Sequence, residues 1–284
     1  MEKPAASRTA LATALMRAAH TRLDPHPLIN DPWGDRLVPE LVKRAMAPSD
    51  AMLDESLMRS QSYANVITRT RYTEDALQAA VTQGVRQYVL IGAGFDSFSL
   101  RLPAFAANLQ IFEIDFPATQ RLKIQRIDAC GMALPDSVHF IAADLSQESV
   151  AAALARSPFE TKQLTFFSWL GVTMYLTREA NLATLRSIAS CSPAGSEVVF
   201  TYLDEGVFQA QSESFRELEQ RVAAIGEPFL SGFNPVELAA SLAACGLDLI
   251  EDLNGSEAAA RYERGGGHRL GRSLFSHMAL ARVK

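Results

Sequence analysis

Tyr88-Val89-Leu90-Ile91-Gly92-Ala93-Gly94-Phe95-Asp96-Ser97 is the stretch whose reading decides the fold. A short apolar, partly β-branched run that ends on glycine reads as a buried strand. A Gly-x-Gly turn directly after such a strand lets backbone pass close to a ligand. Downstream, the pattern alternates. Strands are expected at 109–114, 138–142, 163–169, 195–202, 247–253 and 273–282, with helices at 117–129, 147–156, 178–189, 215–225 and 235–244. Strands alternating with helices indicate an α/β fold, with a mostly parallel, Rossmann-like sheet and an antiparallel last strand.

Upstream of Tyr88 the residues read as helical, with Asp31-Pro32-Trp33 as one helix start. Leu11, Leu15 and Ala18 fall at helical spacing while Arg8, Arg17 and Arg22 fall elsewhere, which predicts an amphipathic first helix with solvated arginines. The same Ala- and Arg-rich, acid-poor start has the composition of a transit peptide; the helix is the favoured reading. We therefore expect one domain over 1–284, with residues 1–85 as a helical N-terminal cap. Two further segments interrupt the alternation. Residues 203–234 form a long connection, read as a helical lid insertion. Residues 254–273 form a loop that carries Gly265-Gly266-Gly267. Both leave strands at their carboxyl ends, where open parallel sheets bind ligands.

The 284 residues carry 27 Lys+Arg against 32 Asp+Glu, a formal charge of -5, so the global basic field that nucleic acid requires is absent. Hydrophobic residues make up 48%, which excludes a disordered chain. Cys130, Cys191 and Cys245 are odd in number and far apart, the pattern of reduced thiols in a cytoplasmic protein and not of a disulfide or zinc framework. No metal site and no membrane span is expected; the most apolar stretch, 164–172, suits a buried strand.

Acids stand at two further strand ends. Asp115 closes the second expected strand, 23 residues beyond Gly92, where a ribose hydroxyl is gripped in nucleotide-binding sheets. Asp144, with Leu145 after it, follows the third, where a carboxylate could meet an adenine amino group. Either acid alone could be a helix N-cap; together with the glycine turn they point to an adenosine-containing cofactor. A dinucleotide site wants a third glycine and a long helix, but here Ser97 takes that position and Pro103 follows soon after. A cofactor without a pyrophosphate fits better, and S-adenosylmethionine (SAM) suits a sheet with an antiparallel last strand. A nicotinamide-dependent oxidoreductase is the alternative.

Arg69-Thr70-Arg71-Tyr72-Thr73-Glu74-Asp75, Val89-Leu90-Ile91-Gly92-Ala93-Gly94-Phe95-Asp96, Phe112-Glu113-Ile114-Asp115-Phe116-Pro117 and Thr173-Met174-Tyr175-Leu176-Thr177 resemble the leucine carboxyl methyltransferase family, which includes bacterial polyketide O-methyltransferases. The resemblance is diffuse before residue 60 and weak after 205. It implies a class I SAM-dependent methyltransferase that releases S-adenosylhomocysteine (SAH). By position, Arg69 would meet the carboxylate of the SAM tail, a task suited to an arginine fork. Arg71 is a second candidate if the alignment slips by a helical step. Gly92, Gly94 and Asp96 would lie under the cofactor, Asp115 would hold the ribose, and Asp144 with Leu145 the adenine. Protein-methylating members carry a Glu-Gly/Cys-Val motif before the Tyr-Leu/Met-Thr; here the run is Ser168-Trp169-Leu170-Gly171-Val172, with Leu170 in place of the glutamate. That departure favours a small-molecule acceptor over a protein carboxyl terminus.

Methyl transfer demands alignment above all. A carboxylate acceptor needs a positive clamp, and Arg261, Arg264, His268, Arg269 and Arg272 cluster in the 254–273 segment. A hydroxyl acceptor would gain from a base near neutral pKa. Of His20, His26, His139, His268 and His277, only His268 falls over the expected site. Tyr175 follows the fourth strand and is the other candidate catalytic residue.

Overall fold

The computed structural model describes residues 6–263, 270 and 275–284. Strand β1 (Gln87–Ile91) is buried on both faces and is the third strand from one edge of a seven-stranded sheet. Its neighbours are β2 (Gln110–Asp115) on one side and β4 (Thr165–Trp169) on the other, both parallel to it. Then come β3 (Val138–Ala142) beyond β2 and β5 (Glu197–Leu203) beyond β4, also parallel. The order is β3-β2-β1-β4-β5-β7-β6, in which β7 (Ser276–Val283) runs antiparallel to both β5 and β6 (Leu247–Asn254). Strand order thus reverses between β1 and β4, and a ligand crevice forms where connections leave such a point in opposite directions.

Among the described residues, five helices precede the sheet: α1 (Arg8–Leu23), α2 (Trp33–Leu37), α3 (Glu40–Met46), α4 (Asp50–Met58) and α5 (Tyr63–Thr82). Leu11, Leu15, Trp33, Leu37, Leu53, Leu57 and Ile67 form a core between them, and Phe95 and Ile127 from the α/β unit join it. Helix α1 departs from the expected amphipathic reading. Arg17 is buried, because Ala14, Leu15, Met16, Ala18, Ala19 and His20 around it are buried too.

After β1 comes a single turn, α6 (Phe98–Arg101), ended by Leu102 at φ 34°; this is the short helix expected before Pro103. Helix α7 (Pro117–Ala129) matches its expected bounds and starts with Pro117 in its first turn. Helix α8 (Val150–Leu154) is shorter than expected, since Ser149 caps it only at that point. Then follow α9 (Arg178–Cys191), α10 (Gly206–Ala210), α11 (Glu213–Ala224) and α12 (Leu238–Ala243).

Residues 204–233 leave the sheet and return to it at one point. Asp204 bridges Phe233, and the Phe233 N–H donates to the Leu203 carbonyl over 2.9 Å. In the expected 254–273 loop, the first part is instead a helix, α13 (Gly255–Tyr262). The Asn254 side chain accepts N–H bonds from Ser256 and Glu257, and the Glu257 carboxylate accepts the Asn254 N–H. That capping box, Asn254-x-x-Glu257, was visible in the sequence.

Candidate active site at the carboxyl ends of three strands

The turn after β1 holds Gly92 at φ 67° and Gly94 at φ 52°, a region L-residues rarely adopt. A Cβ on Gly92 would also lie 2.5 Å from Cγ2 of Val172, so the turn packs flush against the segment after β4. The Gly92 and Ala93 N–H groups both donate to the Ile114 carbonyl, at 2.9 and 3.1 Å, which ties the turn to the end of β2.

Asp115 sits at that end. Its Oδ2 accepts the Gly94 N–H at 2.5 Å and its Oδ1 accepts the Phe116 N–H at 2.6 Å. Each carboxylate oxygen keeps capacity for a second donor. Burial pushes the Asp115 carboxyl up to about 6, against the pull of those two N–H groups, so it is ionised at neutral pH. The Asp115 carbonyl accepts the Ala143 N–H at 2.9 Å and so joins the third strand end to the other two. Asp144 follows. Its Oδ1 accepts the Ser146 N–H at 3.0 Å and hydroxyl at 2.6 Å, while Leu145 packs on the main core. Asp96 accepts the Phe98 N–H at 2.7 Å and opens α6.

Arg69 reaches the same region from α5. Its guanidinium lies against Gly171, where a Cβ would come within 2.7 Å of Nη1. It donates to Oδ1 of Asn65 at 3.2 Å and makes no carboxylate ion pair among the described residues. Burial and the nearby Arg17 lower its pKa to about 10, against the opposing pull of Tyr175 and Asp96, and it stays cationic at neutral pH. A largely buried guanidinium without a carboxylate partner among the described residues is an unfinished pair, suited to a carboxylate from outside the chain. Arg71 lies elsewhere. It is paired with Asp75 through Nε (3.1 Å) and Nη2, and is 40% exposed. The structure therefore brings Arg69, Asp96, Gly92, Gly94 and Asp115 to one place and turns Arg71 away from it.

Tyr175 ends a 3-10 turn, Thr173–Tyr175, after β4. Burial raises its pKa; the nearby Thr9 hydroxyl and Arg69 oppose that rise, and the nearby Glu227 adds to it. At neutral pH it is a hydroxyl donor and not a base. Arg261 is engaged with Glu251 (Nη1–O 2.9 Å) and stands over the Tyr72 ring at 5.4 Å. It does not face Arg69. Arg264, His268, Arg269 and Arg272 lie outside the described residues.

A family model described as leucine carboxyl methyltransferase matches residues 10–189. The chain belongs to the leucine carboxyl methyltransferase family. The activity of this family member is SAM-dependent methyl transfer, and the nicotinamide reading is dropped. It is 33% identical over 279 residues to YktD of Bacillus subtilis (strain 168), described as a candidate S-adenosyl-L-methionine-dependent methyltransferase, covering 89% of this chain and 90% of that one. A similarly described protein of Mycolicibacterium smegmatis is 30% identical over 237 residues, 79% of this chain and 77% of its own. Among solved structures, a duf574 family protein from Streptomyces avermitilis superposes with TM-score 0.64 at 12% identity, over 98% of both chains. A candidate methyltransferase from Thermobifida fusca YX gives 0.61 at 11%, over 88% of this chain and 94% of that one. These two likenesses concern the fold.

The residues of this methyltransferase fit SAM on their own chemistry. A side-chain-free turn, a carboxylate with spare acceptor capacity and an unpaired buried guanidinium match a ribose diol and an amino-acid carboxylate. Sequence reasoning missed three participants. Arg17 donates from Nε to Asp31 (2.7 Å) and from Nη2 to the Phe95 carbonyl (2.7 Å), so it braces the glycine turn. Burial alone would raise the Asp31 pKa, but Arg17 and Arg101 hold it below its ordinary value. Gly171 was visible only as part of a motif; its role is to leave room for Arg69. Thr9, at the start of α1, was visible only as part of the diffuse early resemblance, Thr9-Ala10 to Arg17-Ala18-Ala19 with Asp31-Pro32.

Proposed function

We propose that the chain is an O-methyltransferase that transfers a methyl group from SAM to a carboxylate or hydroxyl of a small-molecule, natural-product-like acceptor. The observation that carries this is Leu170. It stands directly before Gly171, where protein-methylating members carry a glutamate, and leaves that position uncharged. An aromatic cluster supports the reading: the fully buried Phe215 is flanked by the half-buried Phe208 at 5.2 Å, Phe275 at 5.3 Å and Phe229 at 6.2 Å, with Tyr175 5.7 Å from Phe229. Such a wall suits an apolar small molecule.

In this reading Asp115 accepts from the ribose hydroxyls, and Gly92, Gly94 and Asp96 form the cofactor's floor. Asp144 and Leu145 border the adenine. Arg69 binds the tail carboxylate. SAM supplies an electrophilic methyl group on a sulfonium; the chain supplies alignment, which is the larger demand. Tyr175 orients acceptor or cofactor through its hydroxyl, and His268 is the candidate base for a hydroxyl acceptor. Residues 1–85 act as the cap and 203–234 as the lid of one domain spanning 1–284. The acidic balance disfavours nucleic acid as acceptor, and no described helix is long and apolar enough to cross a membrane, consistent with a cytoplasmic site of action.

The test is SAH release from SAM across a panel of small phenols and carboxylic acids, beside a peptide ending in leucine. Turnover of panel members alone supports the proposal. Turnover of the peptide alone would establish the protein carboxyl methyltransferase alternative. SAM binding without any turnover would favour a non-catalytic module.

A further inference from the structure

Helix α1 has no acidic residue in its first turn, although that end of a sixteen-residue helix attracts negative charge. The charge comes from 219 residues away. Glu227 accepts the Arg8 N–H through Oε1 at 3.0 Å and the Thr9 hydroxyl through Oε2 at 2.5 Å. Glu227 belongs to the strap that follows α11, and both sides of this contact touch the cofactor site. On the helix side, the Ala10 Cβ lies 3.0 Å from where a Cβ on Gly94 would be, so the first turn of α1 roofs the glycine turn. The Ser7 N–H donates to Thr119 of α7 at 3.1 Å. Thr9 lies near the Tyr175 hydroxyl, as does Arg69. On the strap side, the Leu230 N–H donates to the Met174 carbonyl at 2.7 Å and the Ser231 hydroxyl to the Leu176 carbonyl at 2.7 Å. The far end of the strap is thus fixed on the turn that bears Tyr175, and Glu227 holds the near end.

We propose that Glu227 is a positioning residue that latches the lid to α1 over the methionine end of the cofactor site. It acts by holding Thr9 and the first turn of α1 against the strap that ends on the Tyr175 turn. With the latch closed, α1, the Tyr175 turn and the strap form one continuous roof; cofactor exchange requires the Glu227 contact to break. This inference rests on the cofactor placement given above.

The experiment compares wild type, Glu227→Ala, Glu227→Gln and Thr9→Val. Stopped-flow displacement measures SAH dissociation, and hydrogen exchange in the ligand-free proteins measures protection of the Arg8 amide. Glu227→Ala is expected to speed SAH release about tenfold or more and to deprotect Arg8. Glu227→Gln, which keeps an acceptor but loses the charge, should fall between. Thr9→Val removes one of the two contacts and gives the same direction if Glu227→Ala fails to fold. Unchanged release and unchanged Arg8 protection in Glu227→Ala, or in Thr9→Val should the former not fold, overturn the latch. If wild type binds no SAH, the cofactor placement fails instead, and Arg8 exchange still decides whether the contact is a latch.

Discussion

The two halves of the proposed cofactor site are built in different ways. The ribose half comes from consecutive strand ends: Gly92 and Gly94, Asp115 and Ala143 are joined by backbone hydrogen bonds across β1, β2 and β3. The methionine half is assembled from distant segments: Arg69 from the cap, Gly171 and Tyr175 after β4, Thr9 from α1 and Glu227 from the lid. In the first, the backbone fixes the geometry and the side chains are finished by N–H donors. In the second, a cation has no carboxylate partner among the described residues, and Asn65 of its own helix and the flat face of Gly171 fix its place.

The sharpest break between the halves comes from Arg69. Arg69→Ala should weaken SAM binding by about 10- to 100-fold, the range for losing charge-assisted hydrogen bonds, read by isothermal titration. Asp115→Ala should weaken it by more than about tenfold through lost ribose contacts. Near wild-type affinity in either variant would remove the corresponding half.

Asp115 also gives the ribose half a pH signature. Only the ionised carboxylate offers all its acceptor sites, so SAM affinity should fall as pH drops through about 6. The sign for stability is opposite. The folded ligand-free protein holds this proton more tightly than the unfolded chain, so the Asp115 contribution is lost as pH rises towards about 6. Asp115→Asn should therefore raise the melting temperature of the ligand-free protein at pH 7.5 and leave it nearly unchanged at pH 4. A destabilised Asp115→Asn at pH 7.5 would mean that the two N–H bonds outweigh the burial cost.

Gly171→Ala tests the methionine half more gently. The substitution meets a positive φ of 70° and the Arg69 guanidinium together. It should cost about 1–2 kcal/mol of stability in chemical denaturation and weaken SAM several-fold by displacing Arg69. Arg71→Ala is the smallest effect: a half-exposed pair with Asp75 is worth less than about 1 kcal/mol, and SAM affinity should stay within about twofold.

The same contrast explains what could be read from the amino-acid sequence. Gly92, Gly94 and Asp115 were legible because a parallel sheet places ligands at its strand ends, and each residue is marked by its position after a strand. The mostly parallel sheet with its antiparallel last strand followed from the alternation of elements. On the other half, Arg69 and Arg71 are equivalent in the sequence, and only the Asp75 partner of Arg71 separates them. Arg17 misled because α1 is buried nearly all round, so helical periodicity offers no polar face for it. Helix α13 was legible in its capping box but hidden by the glycines that follow. Contacts such as Glu227 with Thr9, 218 residues apart, leave no local mark.

The most direct test of the two-half site is a crystal structure of the protein with SAH bound. It is expected to show the ribose hydroxyls on Asp115 and the amino-acid carboxylate on the Arg69 guanidinium, with Arg71 still paired to Asp75. A carboxylate held by Arg71, or a ribose away from Asp115, would contradict the account.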